Sequence, residues 1–421
     1  MSKKNNLTYK AYTATRSFIR MLQKDPRREK KQKTEGAKLK IAFIHNEKKI
    51  STGAHHINEL MTTALATRGT SVRNFYPRRQ LADTPTHLRG ITNILFFHSL
   101  LERKDEILTY DIIQGTTYTP LPFLTFNQTI VSHFGSTTKG FLEYTPKTST
   151  LSKTERDIWH EFKRLNIIPS LEPESFRPFQ DIADIEKIVA TRVTMCIATS
   201  KHVESELLKM GVPSHRVRVI HNTIEDYWFH ERKKPDDAPP PHIVFLGRIG
   251  GDIFTLKLKG LDRLIRLYRS FPDTPKTTVC MTTNRKLKKW MKAAFPLHHL
   301  NINTRKDLIP GALSLLYGSV LFLPSRYEGF SLSLIEGMSQ ALVPVSYPVG
   351  VAPEVIRNGE NGYIISSNEE AEERIRELLA DDKKRLLMAR AARASALQFK
   401  SDVIINDLVA LYKRLKNKRS T

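Results

Sequence analysis

The stretch Val320-Leu-Phe-Leu-Pro-Ser-Arg-Tyr-Glu-Gly-Phe-Ser-Leu-Ser-Leu-Ile-Glu-Gly-Met338 decides the fold. Its first four residues are a short apolar run, the pattern of a buried strand. Pro324, Ser325 and Gly329 interrupt that pattern, and Leu332, Ile335 and Met338 resume it at helical spacing. Strand, turn and helix place Glu328 in the loop at the strand's carboxyl end and Glu336 about one turn into the helix. In open α/β sheets this crevice is where ligands bind. The backbone N–H groups of Gly329, Phe330 and Ser331 fall at a helix N-terminus, which attracts phosphate. A carboxylate repels phosphate, so the two glutamates suit ligand hydroxyls instead. A diphosphate flanked by a hydroxylated ring at each end, as in a nucleotide sugar, matches that arrangement.

The same strand-loop-helix theme recurs on both sides of this stretch. Leu39 to His45 reads as a strand, followed by Ser51-Thr-Gly-Ala and a helix carrying Ile57, Leu60, Met61 and Leu65. Ile112-Ile-Gln, Thr129 to Ser132 and Met195 to Ala198 are further short strands. Around Asp226 to Pro241 the pattern lapses into charges and a Pro-Pro-Pro run, a domain boundary. Beyond it, His242 to Gly247, Thr277 to Thr282 and Val343 to Ser346 read as strands, and a helix from about Asp402 to Lys416 closes the chain. Strands alternating with helices predict an α/β protein with mainly parallel sheets. The expected division is a basic tail over 1–38, a Rossmann-like half over 39–230, a second over 231–400 and a terminal helix over 401–421, with a cleft between the halves.

Charge and cysteine content bound the environment. The chain of 421 residues carries a formal net charge of +24. Residues 1–40 hold thirteen Lys/Arg against three Asp/Glu, so the tail favours anionic partners such as lipid headgroups, nucleic acid or phosphorylated substrates. Tyr9, Tyr12, Arg16, Ile19 and Leu22 fall near helical spacing, which fits either a basic amphipathic helix at an anionic membrane surface or a plain solvated tail. No run of eighteen apolar residues exists, and the start lacks an apolar signal region, so neither a membrane span nor a signal peptide is expected. Cys196 and Cys280 each lie in an apolar run and read as buried thiols of a reducing compartment. The expected location is cytoplasmic, with a possible peripheral place at the inner face of the membrane. His55-His56 and His298-His299 invite a metal reading, but adjacent histidines on a helix diverge by about 100°, and no Cys or carboxylate set accompanies them. No metal or other cofactor is expected.

The Pro-Ser before Glu328, the Glu-Gly-Phe around it and the seven-residue gap to Glu336 resemble the Glu-x7-Glu signature of retaining glycosyltransferases, specifically glycosyltransferase family 4. The likeness extends over Ile197 to Ser200, Val219 to Thr223, Gly350 to Glu354 and Asn358 to Gly362, and spans roughly residues 39–416. It implies the GT-B fold, two Rossmann-like domains facing across a cleft with the last helix crossing back to the first. It also implies metal-free transfer of a sugar from a nucleotide-diphosphate donor to a glycan or lipid-linked acceptor, with the anomeric configuration retained.

The resemblance carries roles for particular residues. Glu328 is expected to hold the transferred sugar's hydroxyls and Glu336 the ribose, while Gly329, Phe330, Ser331 and Leu332 line the donor. Arg248, after a strand, and Lys259, before a helix, would meet the diphosphate as fixed cations. Gly250 to Leu258 reads as an insertion relative to the family, which leaves Lys257 as a competitor of Lys259. Gly53 is expected near donor phosphate or acceptor, and otherwise makes a tight turn. His133, ending the strand Val131-Ser-His, would reach the sugar from the opposite domain, or serve as a structural histidine. Thr282-Thr-Asn stands where the family often has a Gly-rich turn near the base, so base identity is unreadable. A catalytically silent scaffold of the same fold and a basic nucleic-acid-binding protein are the competing readings. The second lacks any RNP-like aromatic-basic pattern, and no nucleic-acid partner is expected.

Overall fold

The computed structural model of the protein describes residues 38–46, 53–78, 96–173, 177–230, 239–282 and 284–420. The basic tail apart from Lys38, the Ser51-Thr52 part of the first turn and the middle of the charged boundary lie outside them.

Two six-stranded sheets organise residues 39–421, and every strand pairing in them is parallel. The first contains β1 (Lys40–Ile44), β2 (Ser71–Phe75), β3 (Ile112–Thr116), β4 (Ile130–Phe134), β5 (Met195–Ala198) and β6 (Val217–Val219), in the order β2-β1-β3-β4-β5-β6. The second contains β7 (Ile243–Arg248), β8 (Lys276–Met281), β9 (His298–Ile302), β10 (Val320–Leu323), β11 (Val343–Ser346) and β12 (Tyr363–Ile364), in the order β12-β11-β10-β7-β8-β9. Strands such as β1 and β10 are apolar throughout because both faces are covered, as a parallel sheet requires. On β1, Ile41 and Phe43 meet Ile57, Met61 and Leu65 of the helix Gly53–Thr67, while Ala42 and Ile44 join the core on the other face.

The terminal helix, Ser401–Ser420, packs on the first sheet's side of the molecule. Ile404, Ile405, Leu408, Leu411 and Tyr412 share a core cluster with Ile41 and Phe43. Tyr412 donates to Gln114 Oε1 at 2.7 Å, and Lys416 pairs with Asp111 at 3.0 Å.

Three local features depart from the sequence reading. The helix Lys153–Arg164 precedes the boundary in sequence, yet Ile158, Trp159 and Phe162 are buried in one cluster with Leu264, Ile265 and Tyr268 of the second half. Residues 39–230 therefore do not all pack around the first sheet. A capping box fixes the start of this helix: Glu155 N–H donates to Ser152 Oγ at 3.4 Å and Ser152 N–H to Glu155 Oε2 at 3.1 Å. The apparent insertion Gly250 to Leu258 folds as a short helix, Ile253–Leu258, capped by Asp252. His298 and His299 lie on strand β9 rather than on a helix, and so point to opposite faces.

Candidate active site

The deciding stretch folds as read. β10 ends at Leu323, residues 324–331 turn, and the helix Leu332–Ser339 follows. Among the described residues, the N–H groups of Gly329, Phe330 and Ser331 find no backbone partner. Ser331 precedes the helix with φ at 78°, and its buried hydroxyl has no partner among the described residues. Leu332 is half-buried and packs against the cores of both halves.

Lys259 meets Glu328 directly, with Nζ 2.6 Å from Oε1, and Ser325 Oγ donates to the same oxygen at 2.8 Å. The turn before the helix Leu261–Ser270 places that lysine. Gly260 adopts φ of 65°, and a Cβ there would overlap the carbonyl of Pro324, so only glycine lets the two loops touch. Arg326 N–H donates to Leu258 O at 2.8 Å and closes the same contact. Lys257, the competitor, points elsewhere. Its side chain is 0% exposed, and Nζ donates to Pro146 O, Thr148 Oγ1 and Glu172 Oε2 at 3.1, 2.9 and 2.9 Å. It is a structural lysine that ties the segment around Thr148 to the second half.

Glu336 sits one turn into the helix and is 8% exposed. Burial raises its carboxyl above the ordinary range, against the pull of Lys306, whose Nζ lies 3.2 Å from Oε1. Arg248 ends β7 with an exposed side chain that has no ion pair or hydrogen bond among the described residues. Gly53 opens the helix Gly53–Thr67.

His133 ends β4 as expected, but it is 4% exposed and lines a small cavity rather than an open cleft. Ile57, Met61 and Ile197, His221 and Asn222 just after β6, and Ile405 of the terminal helix are among the other wall residues. Burial pushes the His133 imidazole down to about 4, so it is neutral at pH 7. Asn222, missed as a site residue in the sequence, turns a buried Oδ1 that has no partner among the described residues. The His221 and Phe330 rings lie 6.1 Å apart, which puts this cavity beside the Gly329 loop. Among the described residues no hydrogen bond or ion pair joins His133 or Arg248 to Glu328.

The Glu328 loop also fastens the two halves together. Tyr327 is 1% exposed and inserts among first-half residues: its ring lies 5.2 Å from Phe141 and 5.5 Å from Tyr144. Its hydroxyl donates to Glu206 Oε2 at 2.8 Å and accepts from Thr137 N–H at 3.0 Å. Ser200 Oγ donates to Gly329 O at 2.6 Å. A Cβ on Gly329 would overlap the Gly135 carbonyl. Within the second half, Arg326 forms a two-pronged pair with Asp262, 2.7 Å on each side, and reaches Glu155 of the helix Lys153–Arg164 at 3.1 Å. Glu354 accepts from Lys201 N–H at 2.8 Å and lies 3.0 Å from His221 Nε2. Ser200, His221 and Glu354 lie in stretches that carry the family likeness, but no local pattern marks them or Tyr327 as joining the halves.

Among the described residues no group of three or more His, Cys, Asp or Glu side chains is gathered as a metal cluster, and no helix is long and apolar enough to cross a membrane.

Residues 226–395 match the family model for glycosyl transferases group 1. An uncharacterized glycosyltransferase of Methanocaldococcus jannaschii is 25% identical over 123 residues, which is 29% of this chain and 35% of that protein. Among solved structures, sucrose-phosphate synthase from Thermosynechococcus elongatus superposes with a TM-score of 0.67 at 16% identity, covering 90% of this chain and 99% of that one. HepE of Anabaena, solved in complex with UDP and glucose, gives 0.60 at 16% identity, covering 89% and 100%. The fold is therefore GT-B. Family match and fold together support a glycosyltransferase.

Proposed function

We propose that the chain is a retaining glycosyltransferase of the family 4 type. It moves a sugar from a nucleotide-diphosphate donor to the hydroxyl of a glycan or lipid-linked acceptor, in synthesis of a cell-envelope glycan or glycolipid. The observation that carries this reading is the 2.6 Å pair between Lys259 and Glu328 in the turn after β10, with Glu336 on the helix that follows. A cation and a carboxylate side by side suit a phosphate next to a sugar. In the free protein each offsets the other's charge. A donor diphosphate draws on Lys259, Arg248 and the N–H groups at Gly329 to Leu332, which leaves Glu328 to accept from sugar hydroxyls. Glu336 accepts from the ribose, and neutral His133, across the cavity wall, orients the sugar. Gly53, which opens the helix Gly53–Thr67, takes donor phosphate or acceptor in this reading. HepE, bound to UDP and glucose in the same fold, supports a donor of this class.

A thermal-shift screen against UDP-, GDP-, ADP- and CMP-sugars tests the reading. A true donor at ~100 times its dissociation constant adds about 2.7 kcal/mol to stability. Transfer by that donor is expected to survive excess EDTA, and Arg248→Ala is expected to lower kcat/KM about ten- to a hundredfold without moving the melting temperature, as loss of a charged hydrogen bond does. Lys257→Ala, by contrast, should depress the melting temperature. Abolition by chelator with rescue by Mg²⁺ or Mn²⁺ would count against metal-free stabilisation of the diphosphate.

The acceptor side of the proposal rests on the basic tail. Each Lys or Arg near an anionic leaflet contributes about 1 kcal/mol, within a reach of roughly 10 Å at 0.1 M salt. Removing residues 1–38 is expected to abolish sedimentation with vesicles rich in phosphatidylserine while donor binding persists. Vesicle binding indifferent to both the deletion and added salt would remove the membrane from the proposal.

A further inference from the structure

Glu336 is one of two carboxylates that share a single ammonium. Lys306 begins a short turn after β9, and its Nζ lies 3.2 Å from Glu336 Oε1 and 2.8 Å from Glu225 Oε1. Glu225 belongs to the connection between the halves. Its Oε2 accepts from Trp228 Nε1 at 3.2 Å, and His56 Nδ1, in the first turn of the helix Gly53–Thr67, stands 3.9 Å from its Oε1. The phenol of Tyr227 faces the same group: burial holds it well above its ordinary range, and Glu225, Glu336 and Asp307 push it further. Arg305 is turned to Asp307 at 2.6 Å.

The side chains of Glu336, Glu225 and Lys306 are only 10%, 18% and 21% exposed. Burial would lower the lysine, but the two carboxylates outweigh it and hold its ammonium charged. Two carboxylates this close, with no cation between them, would compete for a proton, and one would ionise only at raised pH. A protonated Glu336 would lose acceptor capacity toward a ribose diol.

We propose that Lys306 is a positioning residue for nucleotide binding, which bridges Glu336 and Glu225 so that Glu336 meets the ribose hydroxyls as a fixed, ionised acceptor. The inference rests on the reading of Glu336 as the ribose ligand. It adds a consequence: the bridge continues through Glu225 to His56, so the nucleotide end of the cleft is joined to the first-half helix that Gly53 opens.

The experiment is calorimetric titration of the full chain with UDP, ADP and GDP at pH 6, 7 and 8, following whichever binds the wild type. Wild-type affinity should be nearly flat across this range. Lys306→Met should bind about tenfold or more weakly at pH 6, as expected for loss of a charged partner. Its affinity should recover as pH rises, because Glu336 then ionises without help. Lys306→Arg should restore the wild-type profile. The double variant Lys306→Met with Glu225→Gln removes the repulsion, and should regain affinity at pH 6 and a flat profile. It also serves if Lys306→Met alone folds poorly. Wild-type affinity of Lys306→Met at every pH would overturn the inference, as would a uniform loss that Glu225→Gln does not relieve. Glu336→Ala separates the two levels. If it leaves binding intact, the ribose reading fails; if it weakens binding and Lys306→Met does not, only the role of Lys306 falls.

Discussion

Glu328→Ala is expected to lower turnover about a hundredfold or more while leaving affinity for the bare nucleoside diphosphate nearly intact. Glu336→Ala is expected to do the reverse and weaken the bare diphosphate about ten- to a hundredfold. Both magnitudes follow from losing hydrogen bonds to a charged group, each worth about 1.5–3 kcal/mol. The asymmetry follows from position. Glu328 lies in the loop beside Lys259, where a sugar would adjoin the diphosphate, and Glu336 lies on the following helix beside Lys306. Removing Glu328 also frees Lys259, so diphosphate binding could tighten slightly, which sharpens the contrast. Equal, small effects of both substitutions on transfer would end the assignment. Steady-state kinetics with titration of the product nucleotide measures both.

The second large effect concerns the fastening of the halves. Tyr327→Ala is expected to cost about 3–5 kcal/mol of stability, the range for truncating a fully buried aromatic side chain. Tyr327→Phe keeps the ring contacts with Phe141 and Tyr144 but withdraws the hydroxyl from Glu206 and Thr137, at a cost of about 1–3 kcal/mol. Gly329→Ala acts differently, because its Cβ meets backbone of the opposite half and not a yielding side chain. The loop carrying Glu328 must then move off Gly135, so transfer should fall at least about tenfold even where denaturation shows a folded chain. A tenfold loss needs only 1.4 kcal/mol of misplacement. Wild-type transfer by Gly329→Ala would show that the halves need not touch at this point during turnover.

Apolar runs and turn residues made the central strands legible in the sequence. β10 and β11 fall on the residues expected because Val320 to Leu323 and Val343 to Ser346 are bounded by Pro, Ser and Gly signals. The edge strands were not legible. β2 reads Ser-Val-Arg-Asn-Phe and β9 reads His-His-Leu-Asn-Ile, because a strand with one open edge tolerates polar side chains that blur the period. Glu328 in the turn after β10 and Glu336 in the helix beyond it fall where expected because local spacing places them. Long-range partners have no such signal: Lys306 finds Glu225 and Glu336 across 81 and 30 positions of sequence, and Tyr327 finds Glu206 across 121. Such pairings are decided by how the sheets are laid together, which no local pattern records. The choice between Lys257 and Lys259 was open for the same reason. It turns on Glu172, far away in the chain and close in space.

The helix Lys153–Arg164 has a consequence for anyone recombining chains of this fold. Its Ile158, Trp159 and Phe162, with Leu151, Ile167 and Ile168 beside them, complete a core whose remaining members lie after residue 240. A chimera made by grafting residues 231–400 onto a foreign first half would therefore arrive with a hole where those rings belong, and the first half left behind would keep two stranded aromatic side chains. The graft that respects the packing is discontinuous: the C-terminal block together with the excursion from about Thr148 to Glu172, including the Glu172 that receives Lys257. In this molecule the unit of inheritance for the second half is not a contiguous segment.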